Sequence, residues 1–475
     1  MFNLIIVLMK KLLLIAAIAA TALTANAQPG GGGGGGTTSQ TSPDGATYTL
    51  SDGSTVTKSG ETISSTTAEY NAVQVTNGTL TLDNCTITKT GDTSTSGDET
   101  SFYGVNASTY CAGSNAKLII NGGTITSTAD GANAIFCYNG GTITATGVTV
   151  VNNSKRSRGL HATGSSSSKI YAYDCDITTT QETSSVIATD RGGGYVYVDG
   201  GSYVANGRKC AIVYSTGDMT VKNATGASNN SDEGEIADIE GDNSITIDNC
   251  TFSCAGSSRG VMLYQSGSGD ADGYNPVMNL SNSTLTLTNS SAAFCEVSTA
   301  VNATLNIDNC TLTVPSGQLA YINTNSNWNN SNTKYLALNL SNGTYTGSVD
   351  GDNTATTKVN VATNTVWEGS IDNASNISSG DTVVVSGTWI MDKASTPCQL
   401  IINSGGTVYT NGYDLDYCNL TNNGTLDTTS TGVTSVNLAT FQQKQASKAY
   451  NLRGQRVNSD YRGVIVTKDK KRVNR

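Results

Sequence analysis

Apolar and polar positions alternate with a period of two along most of this chain, and the alternation restarts at intervals of roughly 25 to 30 residues. One recurring phrase is a Gly or Asn turn followed by Leu or Ile alternating with Thr or Asn. It reads Asn77-Gly78-Thr79-Leu80-Thr81-Leu82-Asp83-Asn84-Cys85-Thr86, and returns as Ser244-Ile245-Thr246-Ile247-Asp248-Asn249-Cys250-Thr251 and Ala303-Thr304-Leu305-Asn306-Ile307-Asp308-Asn309-Cys310-Thr311. Before each copy stands a short, more continuously apolar strand, such as Ala134-Ile135-Phe136-Cys137, Ser185-Val186-Ile187-Ala188 or Gly260-Val261-Met262-Leu263. Alternation predicts strands with one buried face, and the Asn and Gly pairs between them predict tight corners. A unit of this size cannot bury its apolar face alone, so the units must stack. Helical spacing is almost absent. The pattern predicts an all-β solenoid, a right-handed parallel β-helix of two or three short strands per coil. A dozen coils spaced ~4.8 Å apart would form a rod of roughly 55 to 60 Å. From about Thr344 the phrases loosen, and simpler coils are expected to run on to Leu438.

Composition agrees with this and narrows the chemistry. Charged residues make up 13% of the chain, about half the ~25% usual for globular domains, so neutral polar side chains must face water. The net charge is −10. Residues 442–475 hold ten Lys or Arg against two Asp, which leaves about −18 for the rest. An acidic body argues against nucleic acid as a partner. The 11 cysteines are odd in number and several recur in one phrase, Asp-Asn-Cys-Thr. A cysteine at a fixed repeat position reads more simply as a small buried hydrophobe than as a ligand or nucleophile. His161 is the only histidine, which excludes histidine-clustered metal sites.

The ends read differently from the body. Lys10-Lys11, an apolar run from Leu12 to Ala22 and the small residues of Ala25-Asn26-Ala27 predict a signal peptide over 1–27. The run is too short for the ~20 residues of a transmembrane anchor. A Gly/Ser/Thr-rich flexible leader follows over 28–43, then the parallel β-helix over 44–438 and a basic sorting or capping segment over 439–475. In that last segment Tyr450-Asn451-Leu452-Arg453-Gly454-Gln455-Arg456-Val457, Arg462-Gly463-Val464-Ile465-Val466 and Lys470-Lys471-Arg472-Val473 resemble the end of a type IX secretion C-terminal sorting domain. The resemblance implies the type IX secretion machinery as a partner and an extracellular or outer-surface location. The body resembles right-handed β-helix proteins of the pectate-lyase-like superfamily, which includes lyases, hydrolases and adhesins, so function has to be argued from a site.

Candidate chemistry concentrates between Arg158 and Asp272. Asp190, Arg191, Glu240 and Asp270 are the candidate catalytic residues, since a lateral groove with paired carboxylates suits acid and base work on sugars. Arg158, His161, Tyr214, Asp238, Tyr264 and Gln265 are candidate binding residues. In-register stacking would put Asp190, Glu240 and Gln265 at equivalent positions, with Tyr214 nearby. Asp270 and Asp272 are candidate metal ligands for Ca2+, a hard cation that takes clustered oxygens; no cofactor is required. Against these stands the plainer reading that charge at solvent-exposed corners is cheap. Tyrosine, at 21 residues, suits stacking on sugar rings. The leading expectation is a non-enzymatic adhesin or glycan-binding rod with a glycan or surface ligand as partner. The alternative is an extracellular polysaccharide lyase or glycoside hydrolase.

Overall fold

A computed structural model of the protein describes residues 41–439 except 94–98, 300, 324–333, 353 and 374–380. Beyond them it describes residue 442 and the strands Ala449–Tyr450, Arg456–Val457, Gly463–Val466 and Lys471–Asn474. The expected signal peptide and most of the expected leader lie outside the described residues.

The strands assemble into four wholly parallel sheets, and the fold is the right-handed parallel β-helix that the repeat predicts. The first sheet runs through thirteen strands, from Gly45–Leu50 to Ile371–Asn373. The second has fifteen, from Thr55–Ser59 to Asn419–Asn422, and the third ten, from Thr62–Ser65 to Thr311–Thr313. A five-stranded sheet, from Thr344–Thr346 to Thr425–Asp427, takes over from the third where the phrases loosen. The four C-terminal strands form a separate antiparallel sheet. No helix among the described residues is long and apolar enough to cross a membrane.

Register follows from the alternation. In the second sheet Ile143, Ile170, Val196, Met219, Ile245, Met278, Leu305, Leu338, Val359, Val383 and Leu400 stack as partners on successive coils. All are at most 1% exposed, and each such burial contributes ~1.5–3 kcal/mol. A one-residue slip would turn the whole row to solvent, so the apolar face fixes the pairing.

The Asp-Asn-Cys-Thr phrase is the corner between the second and third sheets. Asn84, Asn249 and Asn309 take φ of 50°, 54° and 50°, a left-handed geometry that Asn tolerates better than most residues. Cys85, Cys250 and Cys310 are buried just inside the bend; the Cys250 thiol bonds the Asp248 carbonyl at 3.4 Å. Asn249 and Asn309 donate Nδ2–H to the corner side chains of the preceding coil, Asn223 and Asn282, at 2.7 and 2.9 Å. Where the corner reads Gly200-Gly201, a Cβ on Gly201 would come within 2.1 Å of the Cys175 carbonyl oxygen, so only glycine fits over that cysteine. Nine cysteines are buried; Cys398 is half-buried and Cys418 exposed.

The first sheet departs from simple alternation. From Leu160–Thr163 to Ala293–Ser298 its strands are buried at every position, outward side chains included. This explains why apolar residues interrupt the alternation in these strands, and it also buries the charged residues they carry, among them Asp190, Glu235, Asp238, Glu240, Arg259 and Glu296.

Candidate functional site

An outward row of the first sheet carries Phe136, His161, Ala188, Tyr214, Asp238, Met262 and Glu296 on successive coils. The structure therefore places three of the candidate binding residues, His161, Tyr214 and Asp238, in one line. His161 is fully buried, 5.3 Å edge-on to the Phe136 ring. Burial, with the Arg158 charge, holds its imidazole well below the usual pKa, so the ring is neutral. Burial likewise pushes the Tyr214 phenol well up. Asp238 belongs to a buried charge cluster in which Arg259 bridges Glu235 at 2.6 Å and Glu296 at 2.8 Å. Burial, then the neighbouring Glu235 carboxylate, pushes the Asp238 carboxyl well above its ordinary range.

The next outward row holds Asp190 and, further along, Glu240 paired directly with Tyr264. Gln265 thus falls one residue beyond the position it was expected to share with Glu240. Its amide is a staple instead. Nε2–H donates to the carbonyls of Ala271 and Gly273 at 3.0 and 2.8 Å, and Oε1 accepts from Gly267 N–H at 2.8 Å, closing the 266–273 loop. Glu240 anchors the same loop, accepting from Ser266 N–H at 2.9 Å and from its hydroxyl. Burial raises the Glu240 carboxyl above its ordinary pKa; the Ser266 bonds oppose this and the nearby Asp270 charge adds to it.

The arginines tie segments together. Buried Arg158 pairs with Asp190 at 3.3 Å and donates to Ser101 Oγ at 2.8 Å. Arg191 reaches Asp270 at 3.1 Å, and its guanidinium lies 3.9 Å from the centre of the Phe102 ring. Ser101 and Phe102 sit on the short helix Glu99–Tyr103, so both arginines hold that insertion against the first sheet.

Beside this face, at the corner between the first and second sheets, opens a cleft of about 690 Å3, within the roughly 300–1,000 Å3 of small-ligand sites. Its floor is bare backbone at Gly192–Gly194 and Gly217; a Cβ on Gly217 would sit 2.5 Å from the Gly194 carbonyl oxygen. One wall is the loop segment Gly269–Asp272, and the other carries Lys169, Tyr171 and Tyr195. Asp218, the register partner of Tyr195, and Asp242 also line it. Asp218 Oδ1 accepts from Ser244 N–H and hydroxyl at 2.9 and 2.7 Å. Asp242 Oδ1 accepts from the Asn275 amide side chain and backbone and from Tyr274 N–H, and these bonds, the Asn275 side chain first, hold its carboxyl below the usual range. Among the described residues neither Oδ2 receives a hydrogen bond.

Tyr171 and Tyr195 belong to a four-tyrosine platform in which Tyr171 is the register partner of Tyr197. Strands Lys169–Tyr173 and Tyr195–Asp199 pair in parallel, which sets Tyr171, Tyr173, Tyr195 and Tyr197 on one outward face. Ring centroids are 6.2 Å apart for Tyr171 and Tyr195, 6.4 Å for Tyr171 and Tyr197, and 6.0 Å for Tyr173 and Tyr197. All four are half-buried. By contrast, Tyr110 and Tyr203 are buried.

Of the candidate site residues, only Asp270 and Asp272 line the cleft. Asp270 is paired with Arg191, and among the described residues no group of three or more His, Cys, Asp or Glu side chains converges as a metal site would need. Lys169, Tyr171, Tyr195, Asp218 and Asp242 were not among the candidates. The signal for the tyrosines was in plain view: Tyr-x-Tyr in two successive repeats, offset by two residues so that Tyr171 pairs with Tyr197, puts four rings on one side of a sheet. No family model matches the chain, and neither a curated protein nor a solved structure is significantly similar to it.

Proposed function

We propose that this protein is an exported, surface-displayed rod that binds a glycan in the lateral cleft between its first and second sheets. The observation that carries this reading is the tyrosine platform opening into a polar cleft. Half-buried rings offer apolar faces for the C–H side of sugars, while Asp218, Asp242 and Lys169 offer bonds to hydroxyls. The lining holds four aspartates, Asp218, Asp242, Asp270 and Asp272, against Lys169. That balance disfavours uronic-acid polymers and favours neutral or amino sugars. Kinship with the pectate-lyase-like superfamily, export by a cleaved signal and sorting through the basic C-terminal segment belong to the same proposal.

An oligosaccharide array probed with the mature chain tests it. Binding to neutral glycans is expected, and Tyr171→Ala or Tyr195→Ala should each weaken it by ~2- to 10-fold, the ~0.5–1.5 kcal/mol of one aromatic contact. Binding that is absent, or unchanged in both variants, would refute the assignment.

A hydrolytic reading rests on one observation, the raised carboxyl of Glu240 close to Asp270, the environment a general acid requires. On that reading Glu240 is the acid and Asp190, Arg191 and Asp270 support it. Glu240→Gln should then abolish release of reducing ends from whichever glycan binds, while leaving binding intact.

A further inference from the structure

Nine of the eleven cysteines are buried in the coils, and burial raises their thiols where a shift is resolved, Cys111, Cys210 and Cys254 to about 12 and Cys250 to about 11. Thiols of that kind are inert at neutral pH. Cys398 and Cys418 differ in exposure, in place and in each other's company. They stand immediately before two paired strands, Gln399–Ile402 and Asn419–Asn422, where Gln399 is the register partner of Asn419. One residue back, the two cysteines occupy the same position on successive coils. The backbone holds them there: Cys418 N–H and Asn419 N–H both donate to the Cys398 carbonyl at 2.9 Å. Adjacent strands lie ~4.8 Å apart, inside the roughly 4.4–6.8 Å Cα separation that a disulfide spans. The two sulfurs are 2.6 Å apart.

We propose that Cys398 and Cys418 form a disulfide that fastens the last coil of the β-helix to the coil before it. The location gives the bond a purpose. Asn419–Asn422 is the terminal strand of the second sheet and is exposed at every position, with Leu420 37% exposed. The coil at a solenoid's end has a neighbour on one side only and frays first. A covalent ring across residues 398–418 removes that freedom. The oxidant is an external disulfide, either a small-molecule disulfide or the disulfide of a thiol oxidoreductase. One cysteine thiolate attacks it to give a mixed disulfide and one released thiol. The second cysteine then displaces the other thiol, so two protein thiols are oxidised, one external disulfide is reduced to two thiols, and both protons go to those products. The bond would form in an oxidising compartment and stay open in a reducing one.

The sequence supplies a clean assay, because no Lys or Arg lies between Lys393 and Lys444 and the tryptic peptide 394–444 contains these two cysteines and no others. The full chain is incubated with oxidised or reduced glutathione, alkylated without denaturation and digested. The expected result after oxidation is a peptide two hydrogen masses lighter and unalkylated; after reduction it carries two alkyl groups, while the nine buried cysteines stay unmodified in both samples. In the oxidised chain, amide exchange across 399–422 should be slower than in the reduced chain or in a Cys398→Ser/Cys418→Ser variant, and unchanged across 142–199. Two alkylated cysteines in the oxidised sample, or disulfides only between separate chains, would overturn the proposal.

Discussion

Single residues carry most of the logic of this fold. The corner asparagines absorb a left-handed turn, and after Asn84, Asn249 and Asn309 a cysteine fills the space inside it. Lys89 is the least expected of the buried residues. It is fully buried and donates to the carbonyls of Thr67, at 2.8 Å, and Gly91. Burial lowers its ammonium from 10.5 to about 8, although Glu69 and Asp92 pull the other way. With the folded pKa below the unfolded one, the unfolded chain binds more protons between pH 8 and 10.5. Stability should therefore rise with pH through that window. Urea unfolding across pH 7.5 to 11 should show a rise in the wild type that Lys89→Met lacks; parallel profiles would show that Lys89 does not titrate there. This lysine was not legible in the sequence. Period-two alternation puts Lys89 on the face of the buried Ile87, but nothing in the sequence marks a lysine at the strand's last position as one that stays buried.

At the scale of elements, strands were easier to read than the loops between them. Period-two alternation located the strands and the Asn-Cys corners, since both depend on local sequence. The placement of Gln265 failed for a countable reason: Gly234–Glu240 has seven residues and Arg259–Tyr264 six. The extra residue is at the start, so Val261 pairs with Ala237 and not with Ile236, and counting four residues on from Ile236 and Val261 reaches Glu240 and Gln265, one position apart. Gln265 then enters the loop, where its amide bonds to three backbone groups. Gln265→Leu removes those bonds and leaves the strand ladder alone. It should loosen 266–273 and weaken glycan binding by roughly 5- to 30-fold, the equivalent of ~1–2 kcal/mol of lost hydrogen bonding. Far-UV circular dichroism should stay the same. Undiminished affinity would show that the loop wall contributes nothing to the cleft.

For the whole molecule, stacking makes each coil depend on its immediate neighbours, so damage should stay local. Toward the C-terminal end Trp367 and Trp389 stack with ring centroids 5.1 Å apart and planes within 10°, each indole N–H donating to a backbone carbonyl of the preceding coil. Trp389→Ala should cost ~3–5 kcal/mol. Hydrogen exchange should then accelerate across 366–409 and not across 142–199; a uniform loss would mean that the rod melts as one unit. The same stacking brings residues from five coils, from Ser166 to Asp272, around a single cleft, and no single repeat could have shown that. The most direct measurement is a crystal structure of the chain with the highest-affinity neutral oligosaccharide bound. A sugar ring is expected against Tyr171 and Tyr195 with hydroxyls bonded to Asp218 or Asp242. A sugar seated elsewhere, whether on the outward face of the first sheet or away from the flank altogether, would contradict it.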